Sequence, residues 1–374
     1  MKYPLLPYSQ LVYEMLKLNP DVYTTRFSLR VNKRDVAQLR KAIEKSLRNH
    51  SVFSVQVDVD GMQAPIVPLD IFHGPYHSID FRDNGETAEI DVAYNRILGD
   101  TRSELVMFED ICRAYQGLPL QKDYYWEYLQ RVEQFKSSSR YEANRQWLEI
   151  EYGNISCPVH PQTDMPIKTD DFGNEGALLE DYTSLREAIK MFEKETLLPL
   201  TAFFSLASAL AMMEYNHCQE AALTWAYDGR ETEEEQHIYG SLHRDIPFKI
   251  NHKSSITNHK SDLIRQARNQ IRSGVAHSSY PLTLTKPHTK IWNYALNVLV
   301  RPTEFDMAEI IPFSFEVIPS NEEQKPAYAL LDIEIIEEEH LTLRYRYSAS
   351  HYKEESIKRF ASLVRKYAEW LLKE

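Results

Sequence analysis

The stretch Asn95-Arg96-Ile97-Leu98-Gly99-Asp100-Thr101-Arg102-Ser103 joins a predicted β-strand to a predicted amphipathic helix. Before it, residues 89–94 alternate between apolar and polar side chains, the period of a strand with one buried face. After it, apolar side chains recur every three or four residues, as in a helix, at Leu105, Phe108, Cys112 and Tyr115. Thr101 and Glu104 have the spacing of a capping box, and Gly117 ends the pattern. The stretch is therefore the turn of a strand–turn–helix unit.

Strand and helix patterns alternate along the whole chain without a fixed repeat, which predicts a mixed α/β fold. A second capping-box spacing, Ser184 with Glu187, marks one helix start. Predicted helices cover residues 35–47, 123–148, 184 onward, 200–215 and 351–372. Predicted strands cover residues 51–58, 222–226, 292–300, 329–336 and 341–347.

One segment shows neither the period of a strand nor that of a helix. Residues 157–176 carry three prolines, at positions 158, 161 and 166, and a glycine at 173. Such a composition favours irregular backbone. We therefore predict an N-terminal lobe at 1–160, an interlobe linker at 161–178 and a C-terminal lobe at 179–374.

Composition narrows the classes of function. The 374 residues include 43 Lys and Arg against 55 Asp and Glu, a formal net charge of −12, which disfavours binding to nucleic acid or an anionic membrane. Three cysteines without a CxxC spacing, and an N-terminus without an apolar signal core, predict a reducing, cytoplasmic location. The uncharged run 196–213 contains Pro199 and small polar residues, so we interpret it as a buried helix rather than a membrane span.

The sequence gives no strong signal for a metal or a directly bound cofactor. His73 and His77 are four residues apart, but Gly74 and Pro75 between them indicate a loop. Two histidines in a loop do not share a helix face, as a zinc motif of this spacing requires. Nucleotide-binding and Gly-x-Ser-x-Gly motifs do not occur in the sequence.

Several segments, in the right order, resemble the condensation domains of nonribosomal peptide synthetases. The chain is identified as a member of this family by the unit around residues 89–117 and by four further segments. In chain order, these four resemble the family's opening "PLSPAQ" segment, its "RHxxLR" segment, the stretch before its interlobe linker and its "GR…IGxFxNTLPLR" block. These segments are Pro4-Leu5-Leu6-Pro7-Tyr8-Ser9-Gln10, Leu47-Arg48-Asn49-His50-Ser51-Val52-Phe53, Tyr141-Glu142-Ala143-Asn144-Arg145-Gln146-Trp147-Leu148, and Ala226-Tyr227-Asp228-Gly229-Arg230 with Ile238-Tyr239-Gly240-Ser241-Leu242-His243-Arg244-Asp245-Ile246-Pro247-Phe248.

The resemblance implies a fold and a set of partners. It implies two lobes related to chloramphenicol acetyltransferase, arranged as a V with a tunnel between them. Carrier-protein domains would dock at the tunnel ends and deliver acyl groups on phosphopantetheine arms, which are substrates rather than bound cofactors. Adjacent synthetase domains or a tailoring enzyme are further expected partners. Residues expected to face the tunnel are Ser103, Gly229, Arg230 and His243.

The family motif His-His-x-x-x-Asp-Gly is degenerate here. Aligned on Asp100, its histidines fall on Asn95 and Arg96, and its glycine falls on Thr101. The resemblance credits the second histidine with base or positioning work on the attacking amine. Arg96 cannot take a proton near neutral pH because a guanidinium stays protonated in proteins. We expect Asp100 to act as a structural salt bridge or helix cap, with Arg230 as its partner in an interlobe ion pair.

Three functions remain open from the sequence. The first is amide formation with impaired or atypical catalysis. The second is a non-catalytic platform that recruits tailoring enzymes or carrier proteins, because one such class carries His-Arg in the motif and Arg96 matches that arginine. The third is heterocyclisation, whose motif Asp-x-x-x-x-Asp-x-x-Ser differs from Asn95-x-x-x-x-Asp100-x-x-Ser103 at the first position only.

Overall fold

The computed structural model describes residues 2–18, 23–167, 173–251, 260–284, 295–301, 312–318 and 326–373. Two compact units emerge from the contacts of the chain. Unit 1 comprises the described residues of Met1–Ser137, Asp228–His243 and Glu304–Glu323, and unit 2 comprises those of Ser138–Tyr227, Arg244–Thr303 and Gln324–Glu374. The lobe limits at 160 and 179 stay predictions, whereas contacts group residues 138–160 with unit 2 and residues 228–243 with unit 1.

Helices and strands alternate along the described chain. The helices are α1 (Pro7–Leu18), α2 (Lys33–Asn49), α3 (Thr101–Tyr115), α4 (Tyr125–Phe135), α5 (Ser139–Tyr152), α6 (Arg186–Thr196), α7 (Leu200–Tyr215), α8 (Glu233–Gln236), α9 (Lys260–His277) and α10 (Glu354–Leu372). The strands are β1 (Tyr3–Pro4), β2 (Thr24–Asn32), β3 (Val55–Val57), β4 (Met62–Pro65), β5 (His73–Gly74), β6 (His77–Asn84), β7 (Thr87–Asn95), β8 (Glu175–Asp181), β9 (Glu220–Tyr227), β10 (Arg244–Asn251), β11 (Asn297–Arg301), β12 (Phe315–Ile318), β13 (Leu331–Glu337) and β14 (Leu341–Ser348).

Unit 1 is built on an antiparallel sheet in the order β12-β2-β7-β6-β5, beside a small sheet β1-β4-β3. Strand β7 buries Ala88, Ile90 and Tyr94 at alternate positions, as a strand with one covered face does. Helix α2 buries a stripe that includes Leu39, Ile43 and Leu47, which lies in the same apolar core as the β7 side chains. The predicted helix at 35–47 and the predicted strand at 89–94 are confirmed.

Unit 2 is built on a six-stranded sheet in the order β10-β9-β11-β13-β14-β8. Strand β11 is parallel to both of its neighbours, and the other pairs are antiparallel. Helix α7 is apolar on nearly every side and is buried along most of its length, so the interpretation of 196–213 as a buried helix is confirmed for residues 200–213, whereas residues 196–199 end α6 and join the two helices. No single described helix is long and apolar enough to cross a membrane; Thr183–Thr196 and Leu200–Tyr215, joined at a 100° bend, meet that test only as a pair, by length and composition.

Local sequence signals were wrong at some helix and strand boundaries. Helix α3 is capped by Asp100 with Ser103, one position earlier than the Thr101–Glu104 box. Helix α6 begins at Arg186 without a side-chain cap, because Ser184 lies in a preceding 3₁₀ turn. A 3₁₀ turn also replaces the first half of the predicted strand 51–58, and the predicted helical region 123–148 forms two helices. Residues 292–294 of a predicted strand lie outside the described residues.

A buried carboxyl lies on the polar face of the unit 2 sheet. Asp332 is opposite Arg346 on β14 and opposite Asn297 on β11. Burial raises the pKa of Asp332 to about 7, against the opposing effects of the Arg346 charge and a hydrogen bond with Tyr328. The folded state therefore holds this proton to a higher pH than an unfolded chain does, since a free aspartate has a pKa of about 3.9.

We expect Asp332→Asn to change how stability depends on pH. Between about pH 4 and about pH 7 the folded wild type binds more protons at this site than the unfolded chain, so its stability falls as the pH rises. The stability of the variant does not fall in this way. Relative to the wild type, its free energy of unfolding should rise by up to about 4 kcal/mol between about pH 4 and about pH 8. Urea unfolding of both proteins across this range measures the difference, and parallel pH profiles would contradict the expectation.

Candidate functional site

The motif turn begins where β7 ends. Asn95 is the last residue of β7 and lies opposite Thr24 of β2. Its side-chain amide donates to Thr24 Oγ1 at 3.1 Å, and its side-chain oxygen accepts from the backbone N–H of Ile97 at 3.0 Å. Asn95 is buried. Both ends of its amide therefore help to hold the turn, and neither end can take a proton at neutral pH.

Arg96 is fixed through its backbone. Its N–H donates to the carbonyl of Tyr23 at 2.9 Å, and its carbonyl accepts from Ser241 Oγ at 3.4 Å. Its positive charge lies near the phenols of Tyr94 and Tyr239, where it opposes the rise of their pKa. Burial, and then the nearby charge of Glu104, nevertheless keep the pKa of both phenols well above the ordinary value. These phenols are therefore neutral hydrogen-bonding groups at neutral pH.

Tyr94 and Glu104 form a contact that sequence reasoning missed. The Tyr94 hydroxyl donates to a Glu104 carboxylate oxygen. Glu104 lies in the first turn of α3, so this bond joins the strand and the helix on the two sides of the motif turn. Glu104 does not form the predicted capping box. Its spacing of ten residues from Tyr94 has no recognisable sequence signature, because the contact depends on how the turn folds back.

Asp100 is the centre of the turn. Its Oδ1 accepts from the Ser103 N–H at 3.0 Å and from Ser103 Oγ at 2.8 Å. Its Oδ2 accepts from the backbone N–H groups of Leu242 at 2.9 Å and His243 at 3.1 Å. Asp100 thus caps α3 and also holds a segment more than 130 residues away in the chain.

Arg230 completes this group as a bidentate partner of Asp100. Its Nη1 and Nη2 each donate to a different Asp100 oxygen at 3.0 Å. Nη1 also donates to Asp228 Oδ1 at 2.6 Å, and Nη2 donates to the Gly240 carbonyl at 3.0 Å. Gly229 has a φ of +75°, a left-handed conformation that glycine adopts without strain. The ion pair lies within unit 1, to which both residues belong, rather than between two units.

Ser103 connects the same residues from the helix side. Its hydroxyl proton can go to Asp100 Oδ1 or to the Gly240 carbonyl at 2.9 Å, and its oxygen accepts from the Gly240 N–H at 3.0 Å. Gly99 packs tightly beside it: a Cβ at Gly99 would lie 2.6 Å from a Tyr239 ring carbon and 2.8 Å from Ser103 Cβ. A side chain at Gly99 would therefore displace the turn or the Tyr239 ring.

The charges of this group support each other. Burial disfavours the ionised form of Asp100, but the charge and hydrogen bonds of Arg230 outweigh it and hold the pKa of Asp100 below its usual value. Burial would likewise lower the pKa of Arg230, and Asp100 and Asp228 raise it instead. A carboxylate with a lowered pKa and with every oxygen already engaged is a poor proton acceptor. Asp100 therefore organises the turn and does not act as a base.

His243 is the remaining predicted site residue. Its ring packs edge-on against Tyr8, with the ring centroids 4.0 Å apart. Its backbone N–H bonds to Asp100, and its buried Nδ1 has no hydrogen-bond partner among the described residues. The structure thus brings together Asp100, Ser103, Gly229, Arg230 and the His243 backbone. Their exposure to a substrate tunnel stays a prediction.

The other histidines have structural contacts. His73 lies between two carboxylates, with Nδ1 2.8 Å from Asp70 and Nε2 3.0 Å from Asp80. His77 is buried, with its Nε2 2.8 Å from the Ile71 carbonyl. Among the described residues, no three His, Cys, Asp or Glu side chains are grouped so that they could hold a metal ion.

Comparison with known families identifies the chain. The family model described as "Condensation domain" matches residues 93–374, a range that begins just before the motif turn and includes Arg230 and the segment to His243. The chain belongs to the condensation domain family. No curated protein sequence matches it at a significant level.

Several solved structures share its fold over nearly the whole chain. The condensation domain from Monacolin K polyketide synthase MokA is 13% identical, with a TM-score of 0.81, covering 100% of this chain and 98% of that one. The SgcC5 protein from Streptomyces globisporus is 13% identical, with a TM-score of 0.79 and coverage of 99% and 98%. The epimerization domain from the third module of tyrocidine synthetase B is 14% identical, with a TM-score of 0.76 and coverage of 99% and 97%. The α/β condensation fold predicted from the sequence is confirmed.

We expect Asp100→Asn to destabilise unit 1 strongly and Asp228→Asn to have little effect. Both carboxylates bind Arg230, but Asp100 is buried, whereas the Asp228 side chain is 42% exposed. Removing one partner of a buried pair costs about 3–5 kcal/mol, and removing an exposed partner about 0–1 kcal/mol. Urea or thermal unfolding compares the two variants, and equal losses would contradict the central role of Asp100.

Proposed function

We propose that this chain binds acyl and aminoacyl thioesters tethered to carrier proteins, and that it forms amides with impaired catalysis. One observation carries the proposal: the motif turn keeps its structural residues but lacks the two histidines of the family motif. The structural part, Asp100 with Arg230, is complete, with two bonds of 3.0 Å. The two positions where the family motif has histidines hold Asn95 and Arg96.

The chemistry available at the turn supports weak catalysis. Amide formation requires a proton to leave the attacking amine, and a base with a pKa near the working pH does this best. Asn95 has no basic group, Arg96 stays protonated, and Asp100 is fully engaged by hydrogen bonds. A guanidinium such as that of Arg96 can donate hydrogen bonds to a developing oxyanion, but it cannot take the proton of the amine.

Holding two substrates in line provides an alternative source of rate. Well-oriented reactants can lower a barrier by about 7–11 kcal/mol without any proton acceptor. A site that binds both phosphopantetheine-tethered substrates would then show a slow reaction with little dependence on Asn95 or Arg96. In this proposal the phosphopantetheine arms are substrates, and the chain itself supplies no cofactor.

A recruitment platform is the second candidate function. The motif turn favours this function. The Asp100–Arg230 pair is buried and hydrogen-bonded, so it can keep the domain folded for a binding partner without taking part in a reaction. Heterocyclisation is less well supported. Ser103 and Asp100 are both used in the helix cap, and Asn95 replaces the first aspartate with an amide that is bonded at both ends.

A condensation assay tests the proposal. Donor- and acceptor-loaded carrier proteins of one assembly line are mixed with the chain, and the carriers are analysed by intact-protein mass spectrometry. We expect both loaded carriers to bind and the dipeptidyl carrier to form slowly. If neither loaded carrier binds, the proposal is wrong; if both bind and no product forms, the platform function is favoured.

Replacing Arg96 with histidine should restore a base. We expect Arg96→His to raise the rate of amide formation roughly 10²–10⁴-fold, the usual contribution of general base catalysis. The gain should rise as the pH passes about 6.5, where a free histidine loses its proton. Arg96→Gln is the matched control, since it removes the charge without adding a base. A lower rate in both variants would instead assign catalysis to the arginine itself.

A further inference from the structure

His243 lies next to the motif turn, although it is far from the turn in sequence. Its backbone N–H donates to Asp100 Oδ2 at 3.1 Å. Two residues earlier, Ser241 Oγ donates to the Arg96 carbonyl at 3.4 Å. All four residues belong to unit 1. The segment that carries His243 is therefore bonded both to the structural part of the turn and to the part that has lost its histidines.

The imidazole ring of His243 has no hydrogen-bond partner among the described residues. Its Nδ1 is enclosed by the protein, whereas its Nε2 is not enclosed in this way, and the side chain as a whole is only partly buried. The ring packs edge-on against Tyr8, with the ring centroids 4.0 Å apart. When the proton of the neutral ring is on Nδ1, the lone pair of Nε2 is therefore free to accept another proton.

Other histidines of the described chain use a ring nitrogen in a structural bond. His77 Nε2 lies 2.8 Å from the Ile71 carbonyl. His277 Nδ1 lies 2.8 Å from the Ser273 carbonyl. A buried polar atom without a partner, such as Nδ1 of His243, costs stability, so its presence needs another explanation. The position of this ring beside the motif turn suggests that the explanation is chemical.

We propose that His243 is the general base of amide formation in this chain, in place of the histidines that the motif has lost. The inference rests on the proposed function, since it requires donor and acceptor thioesters to be bound. The acceptor amine attacks the carbonyl carbon of the donor thioester, so that a C–N bond forms and the C–S bond breaks. The amine proton passes to Nε2 of His243. The thiolate of the donor arm leaves and then takes that proton, which returns the histidine to its neutral form.

The charges around His243 are compatible with a base of limited strength. Burial raises the pKa of Asp100, but the charges of Arg230 and of His243 act against burial and keep that pKa below its usual value. Electrostatic attraction is mutual, so the Asp100 carboxylate also stabilises the imidazolium that the proton transfer creates. Arg230 neutralises part of that carboxylate, and Arg96 adds a positive charge at the same turn. A base in these surroundings is consistent with the impaired catalysis proposed above.

Two substitutions separate the base from the packing of the ring. His243→Phe keeps an aromatic ring beside Tyr8 and removes both nitrogens, whereas His243→Gln keeps a polar side chain that takes no proton. Both variants retain the backbone N–H that bonds Asp100. His237→Phe is the matched control, because His237 is another partly buried histidine of unit 1 and directly follows α8.

The test measures single-turnover formation of the dipeptidyl carrier by intact-protein mass spectrometry, and carrier binding by isothermal titration. We expect both His243 variants to form the amide about 10²-fold more slowly or worse, with carrier binding unchanged, since general base catalysis contributes roughly 10²–10⁴-fold. The wild-type rate should rise between about pH 5 and 8, where histidines change their charge. This rise should be smaller in both variants, where the substrate amine still titrates. His237→Phe should match the wild type.

The outcomes separate this inference from the proposed function. Slower amide formation with unchanged carrier binding and a weaker pH dependence in both His243 variants supports the inference. Wild-type rates in both variants, or an unchanged pH dependence, overturn it and leave the proposed function standing. A wild-type rate in His243→Phe alone, or loss of carrier binding in both variants, assigns the residue to packing and also overturns it. If the wild type binds both carriers but forms no amide, the inference is wrong and the binding function stands; if it binds neither carrier, both are wrong.

Discussion

The buried ion pair between Asp100 and Arg230 is the interaction on which the motif turn depends. A bidentate pair in a site closed to water is costly to break, because the remaining charge has no other partner. The pair closes a loop between β7 and the segment that follows β9, and it draws in backbone N–H groups of Leu242 and His243. Helix α3, which Asp100 caps, is positioned by the same carboxylate.

Within residues 95–103, the residues that hold the turn differ from the residues at the catalytic positions of the family motif. Asp100, Ser103 and Gly99 hold the turn through charge, hydrogen bonds and close packing. Asn95 and Arg96 precede them, and neither can serve as a base at neutral pH. Because the structural residues do not need the histidines in order to fold, a chain can lose the base and retain the site. The family fold by itself therefore does not assign catalysis here.

Elsewhere in the described chain, opposite charges also lie close together. Several surface arginines and lysines of the described chain lie beside carboxylates, as Arg145 and Lys358 do, and such pairs stabilise a helix by small amounts. Asp332 also lies opposite a basic residue, Arg346, but burial outweighs that charge and raises the pKa of Asp332 to about 7, so this carboxyl is neutral over part of the physiological range.

The sequence by itself determined the periodic elements and the identity of the family. Helix α7 was predicted at its observed limits because burial on all sides requires an uninterrupted uncharged run, and β7 was predicted within two residues of its ends because burial of one face imposes a period of two. Tertiary structure decided what no local pattern encodes. The cap of α3 moved to Asp100 and Ser103 because Arg230 and Gly240, distant in sequence, stabilise that choice. The bond from Tyr94 to Glu104 and the burial of Asp332 likewise arise only when separate segments meet, since contacts between distant residues leave no period in the chain.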